Sequence, residues 1–123
     1  MGAKKLVIGA SGFLGSHVTQ QLVAAGEDVR VLLRPTSSDR GIAGLDVERH
    51  VGDVFDVEVV RKAMKGCDVV YYCVVDARAW LLDTTPLWRT NLHGLRGVLT
   101  EAMATDLDRF VFTSTIGTIG VSD

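Results

Sequence analysis

Three glycines set the first chemical possibility in this chain. Gly9-Ala10-Ser11-Gly12-Phe13-Leu14-Gly15 follows the apolar run Leu6-Val7-Ile8 and opens a segment of helical period, with Phe13, Leu14, Val18, Leu22 and Ala25 recurring up to Gly26. A turn of this kind cradles phosphate. Gly9 permits the tight turn, Gly12 lets the backbone approach a pyrophosphate with no Cβ in the way, and Gly15 lets helix and strand pack closely. The free N–H groups and positive dipole end of the helix then face the anion. Ser11, Phe13 and Leu14 belong to the same turn and join the three glycines as expected cofactor-binding residues. The competing reading is an ordinary glycine-rich connection, but the regular spacing between a clear strand and a clear helix favours a dinucleotide.

The residue ending the second apolar run, Val29 to Leu33, is Arg34. An acid there bonds the adenosine ribose hydroxyls and repels a 2′-phosphate, whereas an arginine pairs bidentately with that phosphate. Ser37 and Ser38 in the same loop offer hydroxyl donors. This points to NADP(H), with NAD(H) as the alternative and a solvated surface arginine as the bland reading. Gly52-Asp53-Val54 follows a third strand, where Asp53 can accept the adenine amino group while Val54 packs on the ring. Equally, Asp53 can be a loop acid preceding a helix. Asn91 lies among apolar neighbours in the longest helical segment, and a buried amide must find partners. It is expected to brace the backbone of the cofactor site. Thr113, Ser114 and Thr115 end the last strand, at the carboxyl edge where open α/β sheets bind ligands, so a hydroxyl there can meet a substrate oxygen. His17, His50 and His93 are scattered and receive no role, and no metal is expected.

These residues need elements to hold them. Strand-like runs alternate with helical ones, the pattern of a parallel sheet covered on both faces. Strands are expected at Leu6–Ile8, Val29–Leu33, Val47–Val51, Asp68–Val75 and Arg109–Thr113, the fourth buried on both faces at mid-sheet. Asp56 should cap a helix carrying Val59, Val60, Ala63 and Met64 and ending at Gly66. Thr85 as cap and Pro86 at the first helical position should open a long helix whose apolar face is Leu87, Leu92, Leu95, Leu99 and Met103. The expected fold is α/β: a Rossmann-type doubly wound sheet of about five parallel strands in the order 3-2-1-4-5, forming one NAD(P)-binding domain over residues 1–123.

Composition agrees with that class. The chain of 123 residues is 47% hydrophobic and 23% charged, which excludes a disordered or fibrous protein. A net charge of −2 without basic blocks leaves no face for a nucleic-acid backbone or an anionic membrane. Cys67 and Cys73 have no Cys or His at zinc-site spacing and read as buried thiols in a reducing compartment. The amino-terminal apolar stretch is too short for a membrane span and lacks a cleavage pattern, and Leu6 stands where a myristoylation signal needs Ser or Thr. A cytoplasmic location is expected.

With these motifs in order, the chain resembles the amino-terminal part of the extended short-chain dehydrogenases/reductases, and within them the dihydroflavonol-4-reductase-like and hopanoid-associated sugar-epimerase-like proteins. The resemblance covers essentially the whole chain and rests on Gly9–Gly15, Val29–Ser37, Gly52-Asp53-Val54, Asn91-Leu92-His93-Gly94 and Phe112-Thr113-Ser114-Thr115. It implies a nicotinamide cofactor and a Ser/Thr, Tyr and Lys triad, whose first member falls on Thr115, with Ser114 one place away as the other candidate. It also implies that Val74 and Val75, at the end of the fourth strand, line the cofactor, and that Thr113 and Asn91 belong to its surroundings. Two departures stand out. The family's small His-x-Ala-Ala-like segment is Tyr72-Cys73-Val74-Val75 here, and Tyr-x-x-x-Lys is absent, since the residues four beyond Tyr71 and Tyr72 are Val75 and Asp76. The chain therefore reads as truncated before the carboxyl-terminal strands and substrate domain. The implied activity is hydride transfer to or from a carbonyl or hydroxyl of a small organic substrate, as in reductases, dehydrogenases or sugar-nucleotide epimerases, with a homodimer possible. The alternative is a non-catalytic dinucleotide-binding sensor or regulatory module.

Overall fold

A computed structural model describes residues 3–122. Its elements are β1 (Lys4–Ile8), α1 (Phe13–Ala24), β2 (Val29–Leu33), β3 (Glu48–Val51), α2 (Val57–Met64), β4 (Cys67–Tyr72), α3 (Thr85–Trp88), α4 (Leu95–Met103) and β5 (Arg109–Phe112). The five strands are parallel and ordered β3-β2-β1-β4-β5, so the chain reverses direction across the sheet between β1 and β4. That reversal point is where ligands of open α/β sheets bind.

Alternation along the strands divides the core into two layers. Leu6, Ile8, Leu32, Val70 and Tyr72 face Val60, Ala63 and Met64 of α2 and Val98 and Ala102 of α4. On the opposite face Val7, Val29, Val31 and Leu33 meet Ile42 together with Val18 and Leu22 of α1. Burying each such aliphatic side chain contributes about 2 kcal/mol.

The helix ends have local causes. The Asp56 carboxylate accepts the Glu58 and Val59 N–H groups at the start of α2, as its position predicts. Gly26, at φ 79°, closes α1: its N–H donates to the Val23 carbonyl and the Glu27 N–H to that of Leu22. Three expectations need correction. β4 ends at Tyr72, not Val75, because only the Cys73 N–H still reaches β1, at the Ile8 carbonyl. Thr85 is inside α3 instead of capping it, and the Asp83 carboxylate takes the capping role by accepting from the Thr85 N–H and hydroxyl. The long helical stretch is three pieces, α3, a π-helical turn over Arg89–Gly94 and α4. The wider turn shifts the angular phase, so Gly94, Val98 and Ala102 face the core while Leu92, Leu99 and Met103 face outward.

Arg30 is the buried charge that ties sheet to helix. Its guanidinium donates to the Ala63 and Lys65 carbonyls at the carboxyl end of α2 and to the Glu48 carboxylate on β3. Those carbonyls have no helical N–H to accept from, so the arginine serves as their cap and meets the negative end of the dipole. Arg30 first, then His50 and Lys4, hold the Glu48 carboxyl at about 2, against an ordinary 4.5. A depressed carboxyl pKa adds stability that is complete above the unfolded value and disappears as pH falls toward the folded one. The difference in urea midpoint between the wild type and Glu48→Gln should therefore shrink as pH falls from 4.5 toward 2. A pH-independent difference in that window would show that the carboxylate charge contributes nothing.

Candidate functional site

A cleft of about 780 Å³ opens at the carboxyl ends of the strands, over the reversal point between β1 and β4. Its floor is the turn after β1. Gly9 has φ 89°, and a Cβ there would lie 2.7 Å from the Cys73 carbonyl oxygen, so both backbone shape and space demand glycine. Gly15 is buried, and a Cβ on it would collide with the Gly9 carbonyl; its absence lets α1 start directly beneath β1. Gly12 differs. It is exposed with extended backbone, and a Cβ on it would meet nothing nearer than the Gly9 oxygen at 3.5 Å. Nothing within the protein requires glycine at position 12, so the space above it suits an external group that approaches the backbone.

Gly12 is also the N-cap of α1, with no side-chain cap and no acidic residue in the first turn. The first N–H groups of the helix are left without intrahelical partners, and with the positive end of the dipole they form a terminus able to receive an anion. Two cations extend it. Arg34, exposed just past β2, and Arg89, at the start of the π-helical turn, both line the cleft, and neither forms an ion pair among the described residues. Arg78 also lines it but is held by Asp76 through contacts of 2.8 and 2.5 Å. Arg78, and more weakly Arg34, hold the Asp76 carboxyl below the usual carboxylate range.

The structure brings together Gly9, Ser11, Gly12, Arg34, Ser37, Asp53, Val54, Val74 and Val75 around this one cleft, from four separate loops. Asp53 forms the turn ahead of α2, its Oδ1 accepting the Phe55 N–H at 2.9 Å, and its carboxylate stays exposed on the lining of the cleft. Val54 is half-buried against the core and presents an apolar surface beside it.

Other expected residues fall outside the lining. Phe13 is 85% exposed with its ring beside His17, and Leu14 is also exposed, and neither belongs to the lining of the cleft. Asn91 is exposed, not buried, but it does brace the site: its Nδ2 donates to the Asp76 carbonyl and its Oδ1 accepts the Asp76 N–H, both at 2.8 Å. It acts on the loop after β4 and not on the cleft directly. Thr113, Ser114 and Thr115 lie beyond the end of β5, all exposed. The Thr115 hydroxyl accepts the Gly117 N–H at 3.2 Å, capping a short 3-10 turn over Ile116–Thr118, and so is engaged locally. Thr113 sits against the Cys73 thiol, which burial pushes up and this hydrogen bond pulls back.

Tyr72 is buried in the core, its hydroxyl has no hydrogen-bond partner, and burial pushes it up to about 12. Phe55, Asp76, Arg78 and Arg89 were not recognised in the sequence as site residues. Asp76 and Arg78 carried a usable signal, a charged pair just past the fourth apolar run, whereas Phe55 and Arg89 meet only through the fold.

A family model described as the NAD dependent epimerase/dehydratase family matches residues 5–123. The chain belongs to that family. It is 31% identical over 115 residues to a putative dihydroflavonol 4-reductase of Synechocystis, covering 94% of this chain and 33% of that one. To sterol demethylase protein B of Methylococcus capsulatus it is 34% identical over 117 residues, covering 95% and 36%. Among solved structures, a short-chain dehydrogenase/reductase superfamily protein from Agrobacterium tumefaciens with bound NAD superposes with a TM-score of 0.76 at 29% identity, over 92% of this chain and 33% of that one. The chain thus spans about a third of the length of the curated relatives it matches. No helix among the described residues is long and apolar enough to cross a membrane.

The two glycines of α1 should separate folding from binding. Gly12→Ala is expected to fold with near-native thermal stability yet to lose dinucleotide binding, while Gly15→Ala should fail to give a cooperative melt. Calorimetry together with a nucleotide titration reads both, and retained binding by Gly12→Ala would contradict the assigned approach of a ligand to that backbone.

Proposed function

We propose that this chain is the cofactor-holding part of an oxidoreductase-type enzyme, that its cleft takes NADP(H) in preference to NAD(H), and that the whole protein exchanges hydride with a carbonyl or hydroxyl of a small organic substrate. The observation that carries the cofactor preference is Arg34: a guanidinium just past β2, without an ion pair among the described residues, on the cleft lining where an acid is needed to hold free ribose hydroxyls. Its charge favours a ligand with a phosphate at that point, and the fork of donors suits a phosphate bidentately. Ser37, whose N–H donates to the Arg34 carbonyl at 3.0 Å, lies close enough to add a hydroxyl donor.

The donor set fits the remainder of such a cofactor. The first turn of α1 offers N–H groups to the pyrophosphate above Gly12, Asp53 offers an acceptor for the adenine amino group, and Val54 an apolar surface for the ring. Val74 and Val75, beyond β4, would line the cofactor on the other side of the turn. The nicotinamide, when bound, supplies the hydride exchange. The residues of this chain bind and orient, and the exposed Thr115 hydroxyl beyond β5, with Ser114 beside it, is offered to a substrate oxygen. The relatives' names range from reductase to epimerase, and support for this reading extends to the class of reaction, not to one substrate.

Fluorescence titration with NADPH and NADH tests the preference. A charge-assisted hydrogen bond contributes about 1.5–3 kcal/mol, so NADPH should bind about tenfold or more tightly than NADH, and Arg34→Asp should abolish or reverse that ratio. Equal affinities that Arg34→Asp leaves unchanged would overturn it.

A further inference from the structure

Arg89 is the second unpaired cation on the cleft, and it is held in an unusual way. Its guanidinium carbon lies 4.0 Å from the centroid of the Phe55 ring. Phe55 is itself fixed from the other direction, because a Cβ on Gly94 would come within 3.1 Å of its Cε1, so the ring rests on a helical surface cleared of side chains. Gly94 is buried and belongs to the same π-helical turn that begins at Arg89. That turn therefore supplies both the seat of the ring and the cation above it. An arginine held this way loses much of the side-chain freedom that it would otherwise surrender on binding a ligand.

The pair stands beside the residues assigned to adenine. Phe55 directly follows Asp53 and Val54, and Phe55, Pro86, Arg89 and Thr90 line the same cleft. One side of the guanidinium is occupied by the ring, and the residue is otherwise exposed. A planar guanidinium stacks on nucleobases as it does on phenyl rings, and every purine offers a π-face. We propose that Arg89, backed by Phe55, is a stacking platform for the adenine ring and so a positioning residue for the cofactor, distinct from the phosphate-reading Arg34. This rests on the cleft being a dinucleotide site, as proposed above. It predicts a contribution independent of the 2′-phosphate, in contrast to that of Arg34.

The test measures Kd for NADPH, NADH, 5′-AMP and nicotinamide mononucleotide with the wild type, Arg89→Ala and Arg89→Lys, by calorimetric titration of the whole chain. Stacking of a base contributes about 1–3 kcal/mol, so Arg89→Ala should weaken NADPH, NADH and 5′-AMP alike by about tenfold and leave the mononucleotide unchanged. Arg89→Lys keeps the charge and loses the plane, and should be nearly as weak as Arg89→Ala. Phe55→Leu, which removes the backing ring while keeping an apolar side chain, should reproduce a smaller uniform loss. Thermal melts confirm that each variant is folded, and because Arg89 is exposed the first two should melt with the wild type. A loss confined to NADPH, or rescue by Lys, would overturn the platform in favour of a phosphate contact. An unchanged 5′-AMP affinity in Arg89→Ala would overturn any role at the adenine. Failure of the wild type to bind any of the adenine nucleotides would instead remove the dinucleotide reading itself, an outcome separate from the others.

Discussion

The contact on which the site depends is the approach of α1 to the end of β1, where the bare Cα of Gly15 lies against the Gly9 carbonyl. That distance fixes the direction in which the helix leaves the sheet, and so where its free N–H groups point. Gly9 serves a second neighbour as well, since the Cys73 carbonyl passes where its side chain would be, bringing the loop after β4 up to the same turn. Two missing side chains thus bring three backbone segments together, and the cleft is the space left between them. Gly12 stands apart as the one glycine of the three that the protein's own packing leaves free.

Around that turn, charge is divided between structure and binding. Arg30 is consumed at the amino-terminal side of the sheet by the last carbonyls of α2 and by Glu48, and Arg61 joins α2 to the buried Glu101 of α4. Arg78 is answered by Asp76, whose backbone is in turn held by both amide atoms of Asn91. Arg34 and Arg89 have no such carboxylate partner among the described residues and face the cleft. The same residue type therefore performs two jobs, and the distinction lies in which backbone carbonyls and carboxylates are within reach.

Most of the fold was legible because it is written locally. The glycine turn, the Asp56 cap, the Gly26 and Gly66 stops and the five apolar runs each carry their signal within a few residues, and the strand order came with the Rossmann-type fold that the glycine turn implies. What was not legible arises from phase and from tertiary meeting. A π-helical turn between Arg89 and Gly94 rotates the outer half of the long helix, so the Leu92, Leu99 and Met103 stripe that looked like a core face is exposed. Asn91 was expected to be buried, yet it braces the backbone from an exposed position; the role was readable from its chemistry and the burial was not. Thr115 caps a short turn beyond β5, a local contact that a hydroxyl at a strand end does not announce. The contact of Phe55 with Arg89 links two segments that no local pattern connects.

The central claim is that the backbone of the turn after β1 receives the phosphates of a dinucleotide. Amide chemical-shift mapping of the chain on addition of NADPH tests it most directly, residue by residue. The account predicts the largest shifts at the N–H groups of residues 11–15, with a second set at 34–37 and 53–55, and little change at the amino-terminal ends of the strands. Saturating NADPH that leaves residues 11–15 unmoved, or shifts confined to another face of the sheet, would contradict it.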